Sequence, residues 1–162
     1  KIRKFNLWSM AWGTRAALAY SFLNSDKILS AVFSDASIAS ADVEAQRKGL
    51  KKAMARQESM GIQKFELPKG WNEHINNKNA GLSLTAAAKF NLDKAVSSIS
   101  YPFLVMTGDH DPNLTSSKDI VSQSASGNLK ILDDVGHGSV LQRPDLVLEN
   151  FLSWHNLQIK ES

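Results

Sequence analysis

The sequence predicts an α/β fold, a mostly parallel sheet flanked by helices, and three observations predict it. Tyr101-Pro102-Phe103-Leu104-Val105-Met106-Thr107-Gly108 is apolar and continuous rather than alternating, as a strand is when both faces of a parallel sheet are covered. The β-prone run from Ile2 to Trp8 leads through a tight turn into an Ala- and Leu-rich stretch, Arg15 to Asn24, which reads as a strand followed by a helix. A third short strand, Asn128 to Leu132, runs into the polar loop Asp133-Asp134-Val135-Gly136-His137-Gly138-Ser139. With 162 residues, 43% of them hydrophobic, the chain can bury the core of one domain of ordinary size.

The first of these turns has the composition of one that presents a nucleophile. Such a turn needs a side chain on a sharp bend after a strand, with small residues two positions to either side so that strand and helix pack closely. Ser9 and Gly13 meet that demand around Ala11, which has no hydroxyl. A second register takes Ser9 as the nucleophile, but it would place bulky Leu7 and Ala11 at the flanks with no glycine. Position 11 is therefore the preferred reading. The other two strands also end in loops that carry groups for acid-base chemistry, and such carboxyl ends are where open parallel sheets place their sites. Gly108-Asp109-His110-Asp111-Pro112 follows the second, and His137 lies between two glycines after the third.

Taken together, three segments resemble the α/β-hydrolase superfamily, nearest to its proline iminopeptidase and haloperoxidase-like branch. They are Ala11 through Tyr20 and on to Asn24-Ser25-Asp26-Lys27-Ile28, the P-x-L-x-x-x-G-x-x-D run from Pro102 to Asp111, and Gly136-His137 with Gln142-Arg143-Pro144-Asp145. The resemblance implies that Ala11 stands at the serine position, that Asp111 is the acid and that His137 is the base, in the order the fold uses. Asp109 is a rival for the acid. The backbone N–H of Trp12 is the implied oxyanion donor, with a second donor from a loop earlier than any in this chain. The implied activity is cleavage of an ester, amide or related acyl bond through an acyl-serine intermediate, without a cofactor. Ala11 in place of serine would abolish it, and replacement of serine by alanine is the simplest account of a missing hydroxyl beside intact partners. The alternative is a ligand-binding protein of the same fold, a pseudoenzyme or receptor. A lyase or cofactor-free haloperoxidase use of the fold is a third option.

Three units follow from this alignment: a core segment over 1–36, a helical cap over 37–97 and a second core segment over 98–162. In the cap, residues 41–60 are charged and helix-prone, with Val43, Leu50 and Met54 spaced to share a face and Gly61 as a stop. A Pro68-Lys69-Gly70 turn, a polar stretch from Trp71 to Asn79 and an apolar helix from Leu82 to Phe90 come next. Trp12 and Trp71 are the expected substrate-binding residues, and Met54, Met60 and Phe65 are further candidates for an apolar pocket. Ser34-Asp35 lies at another strand end and is assigned no role.

The partners expected are a small acyl substrate and the missing amino-terminal part of the same protein or a companion chain, because the fold has several strands before its nucleophile turn. The net charge of +3 is spread along the chain, densest at Lys48, Lys51 and Lys52, with no basic arm that would point to nucleic acid. No apolar run is long enough to span a membrane. Zero cysteines exclude disulfides and thiolate metal sites but leave the compartment open, with the cytoplasm favoured. The four histidines show no metal-ligand spacing, and no metal is expected.

Overall fold

The computed structural model describes residues 2–161 except 68, 71, 72, 74–78, 80, 81, 83, 84, 87 and 88. Its sheet has four parallel strands in the order β1-β2-β3-β4: β1 Phe5–Met10, β2 Ile28–Ser34, β3 Phe103–Gly108 and β4 Gly127–Leu132. The helices are α1 Gly13–Leu23, α2 Val43–Ser59, α3 Leu92–Ser97, α4 Leu114–Ser122, the short α5 Ser139–Gln142 and α6 Pro144–Glu161. The predicted α/β fold class holds, and the three strands predicted along the sites lie within two or three residues of those observed. The first begins later than expected and runs further, because Ile2 is 82% exposed and the pairing with β2 starts at Phe5.

Alternation along the strands divides the core into two layers, as a period of two requires. Ala31, Phe33, Phe103 and Val105 face one side and pack with Leu18 of α1, Val96 of α3 and Ile120 of α4. Val32, Leu104 and Met106 face the other, against Val147 and Trp154 of α6. β3 is buried along its whole length, which explains its unbroken apolar sequence. β1 alternates between intermediate and exposed positions and pairs only with β2 among the described residues.

α2 starts where Asp42 accepts a hydrogen bond from Ala45 N at 2.9 Å and stops before left-handed Gly61, φ 71°. Val43 does not join its inner face, being 52% exposed; the buried positions are Ala53 and Gln57, with Leu50 and Met54 beside them. The helix begins with a charged, solvent-facing turn, and only its second half reaches the core. It meets the core backbone to backbone. A Cβ on Gly49 would lie 2.0 Å from the His110 carbonyl oxygen, and one on Gly136 would lie 2.7 Å from the Leu50 Cα. The expected helix from Leu82 to Phe90 falls largely outside the described residues, of which Leu82, Thr85 and Ala86 are helical. No helix among the described residues is long and apolar enough to cross a membrane.

Candidate active site

Register brings the strand ends together at one edge of the sheet. Ala11 N donates to Ser34 O at 2.8 Å, Asp35 N to Met106 O at 2.7 Å and Asp109 N to Leu132 O at 3.0 Å, so the loops after all four strands leave side by side. Two of them leave through left-handed residues, Ala11 at φ 49° and Asp35 at φ 52°. That conformation costs an L-residue about 1–2 kcal/mol and aims its Cβ out of the strand direction. A third, Asp134 at φ 56°, turns the loop that carries His137.

Asp111 and His137, 26 residues apart, meet at this edge: the Asp111 Oδ2 lies 3.0 Å from His137 Nδ1. The Asp111 side chain is fully buried, and its carboxylate is held by Asn113 N at 2.9 Å and by the Thr107 hydroxyl at 3.3 Å. With Nδ1 as the donor to this carboxylate, Nε2 is left with a lone pair, the tautomer a general base requires. Burial alone would lower the imidazole pKa. The hydrogen bond and charge of Asp111, with the charge of Asp35, outweigh it and raise the value above the ordinary one.

Ala11 and Trp12 wall a cavity of about 20 Å³ together with Arg15, Asn113 and His137. That volume holds about one water-sized group. Ser9 is not part of this wall, since its hydroxyl donates to Thr14 Oγ1 at 3.2 Å beneath the turn. Trp12 caps the start of α1 in helical geometry, where backbone N–H groups lack helical acceptors. Asp109 turns away from His137: its Oδ1 accepts Val135 N at 3.2 Å and lies 4.0 Å from His110.

On the other side of His137 is a larger pocket of about 260 Å³, lined by Leu50, Met54, Phe65, Leu67, Leu141 and other residues. Met54 and Phe65 were among the candidates for it, whereas Met60 is 45% exposed and outside it. Trp71 lies outside the described residues. His137 is therefore the shared wall of a minute cavity and a roomier, apolar one.

Three residues at this edge escaped sequence reasoning. Asn113 Nδ2 donates to Asp35 O at 3.1 Å, tying the acid loop to the end of β2. Asp35, assigned no role, is buried, and its Oδ2 accepts both the N–H of Ser139 at 2.8 Å and its hydroxyl at 2.9 Å, which anchors the loop just after His137. Burial, then the charge of Asp111, pushes the Asp35 pKa up to about 7. Arg15 is the third. Position after a strand was the available signal for Asp35; nothing local marks Asn113 or Arg15.

For a metal, Asp109, His110 and Asp134 bring three ligand atoms within 4.8 Å of one another. Arg56 already sets its guanidinium 3.5 Å from Asp134 Oδ1, so this cluster has a cation of its own.

No protein-family model matches the sequence, and no curated protein does. Solved structures do match. An esterase from Thermogutta terrifontis, crystallised with malate bound, is 15% identical with a TM-score of 0.65, over 94% of this chain and 65% of that one. The enol-lactonase from Burkholderia xenovorans LB400 is 17% identical with a TM-score of 0.65, over 96% and 66%. An α/β-hydrolase enzyme from the metagenome of sediments of the Mar Chica lagoon, Morocco, is 15% identical with a TM-score of 0.67, over 97% and 63%. The chain has the α/β-hydrolase fold and spans just under two thirds of the length of these three structures.

Proposed function

We propose that this chain carries the nucleophile turn, acid and histidine of a serine hydrolase that cleaves an ester, amide or related acyl bond, here without its nucleophile. The observation that carries the reading is the convergence of Ala11, the Asp111–His137 pair and the cavity that His137 and Ala11 share. A hydroxyl at position 11 would give its proton to His137 Nε2 and attack the carbonyl. Asp111 would stabilise the imidazolium, and the proton would then pass to the leaving group. The Trp12 N–H would supply one oxyanion contact, and the second donor, with strands to pair with the edge of β1 that is unpaired among the described residues, would come from elsewhere in the protein or from a companion chain. The esterase and lactonase among the structural neighbours act on this class of bond by their names. Residues 37–97 would roof the pocket as a cap.

The test is fluorophosphonate labelling of the Ala11→Ser chain with peptide mapping. An adduct on residue 11 that disappears in Ala11→Ser/His137→Gln is the expected result. An adduct on Ser9 would favour the register that takes Ser9 as nucleophile, and no adduct would favour the second reading, a ligand-binding protein, which the alanine itself and the 260 Å³ pocket support.

A further inference from the structure

Among the described residues, Arg15 is a buried cation without an anion. It is 7% exposed, yet the ion pairs among the described residues all lie elsewhere. Its Nη2 donates to the Ala39 carbonyl, and its guanidinium carbon lies 4.4 Å from the centre of the Trp12 ring. It sits in the first turn of α1, which contains no acidic residue, so the positive end of the helix dipole adds to its charge instead of offsetting it. Burial lowers its pKa, the sign expected of a charge removed from water without compensation. A neutral donor could serve the Ala39 carbonyl, so that contact does not explain a guanidinium here.

The surroundings say what is missing. The small cavity is walled by Arg15, Ala11, Trp12, Asn113 and His137, with no aspartate or glutamate among its lining residues. Trp12 covers a face of the guanidinium, which leaves the in-plane N–H edge as the donor surface, the geometry that takes a carboxylate through two parallel hydrogen bonds. We propose that Arg15 binds a carboxylate on the ligand itself, so that the acyl compound accepted at position 11 is a short ester or amide bearing a free carboxylate near the scissile bond. The proposal rests on reading position 11 as the nucleophile position. The bulkier, apolar part of such a ligand would lie beyond His137 in the larger pocket.

The chain as it stands is suited to the test, because with alanine at position 11 an ester remains intact while bound. Calorimetric titration would compare monoethyl succinate, which carries one carboxylate, with diethyl succinate, which carries none. The expected result is monoester binding at least about tenfold tighter, the low end of a charge-assisted hydrogen-bond pair. Arg15→Gln should remove that preference, and Arg15→Lys should keep part of it. Equal binding of the two esters, binding of neither, or a preference that survives Arg15→Gln overturns the proposal. Should Arg15→Gln fail to fold, the two esters on the unaltered chain decide. If the Ala11→Ser chain takes the fluorophosphonate while both esters bind alike, the hydrolase reading stands and this one falls. If the monoester is preferred but the phosphonate is refused, the carboxylate site stands without the hydrolase.

Discussion

On the β3–β4 side of the site, backbone touches backbone. A Cβ on Gly108 would lie 1.9 Å from the Val135 carbonyl oxygen, and the glycines at 49 and 136 admit α2 to the same loops at comparable range. Asp35, Asn113 and Ser139 then cross-link those loops through hydrogen bonds whose partners lie 78 and 104 residues apart in the chain. On the β1 side the reverse holds. Gly13 has nothing within 4 Å of where its Cβ would be, Trp8 is 43% exposed, and β1 has one strand neighbour among the described residues. His137 and Asp111 are thus fixed by this chain's own packing, whereas the turn at position 11 has, among the described residues, only one flank supported. Holding a histidine within hydrogen-bond range of its acid requires dense surroundings; a turn can keep its shape by local backbone geometry alone.

Breaking the dense side should have the largest effect. Gly108→Ala puts a methyl group into a backbone carbonyl at the end of a fully buried strand, and we expect no cooperative unfolding transition in urea, since neither neighbour is a flexible side-chain tip. Next is the charge within that network. Between about pH 4 and pH 7 an unfolded Asp35 has lost the proton that the folded chain keeps, so this residue makes stability fall as pH rises through that window. At 1.36 kcal/mol per pKa unit the full effect is roughly 4 kcal/mol. The raised pKa of His137 acts in the same direction at higher pH, its contribution being present below the ordinary imidazole value and lost above the folded one. Asp35→Asn should flatten the dependence of Tm on pH between about 4 and 7; an unchanged slope would contradict the assignment. The smallest effect belongs to the open side. Gly13→Ala meets empty space at the start of a helix and should raise stability by about 0.5–1 kcal/mol, read as a higher urea midpoint. A loss instead would mean that the β1 side is as crowded as its counterpart.

The acid and histidine loops were legible because they combine local turn chemistry with unmistakable groups: Gly108 to Pro112 and Gly136 to Gly138 stop a strand and carry a titratable side chain at once. The helices after them were not anticipated. α4 is rich in Ser and Thr, whose side chains compete for backbone hydrogen bonds and conceal its periodicity. α6 opens with Pro144 at its first position, a start signal that was available and read only as part of a motif. Asp35 was legible only as a residue at a strand end, and Arg15 not beyond its residue type. Their meaning depends on Ser139 and Ala39, which the chain brings near only once the sheet has formed.

The seat of α2 on glycine has a consequence for traffic into the larger pocket. A carbonyl resting where a side chain would otherwise begin leaves no slack to slide or hinge against, and Gln57 Nε2 further fastens the helix to the Asp134 carbonyl at 2.7 Å. α2 is therefore a doorpost and not the door. Facing it across the pocket, the run of residues 62–67 contributes Lys64, Phe65 and Leu67 to the lining, so one wall is a helix fixed on glycine and another is a stretch with no helix or strand of its own.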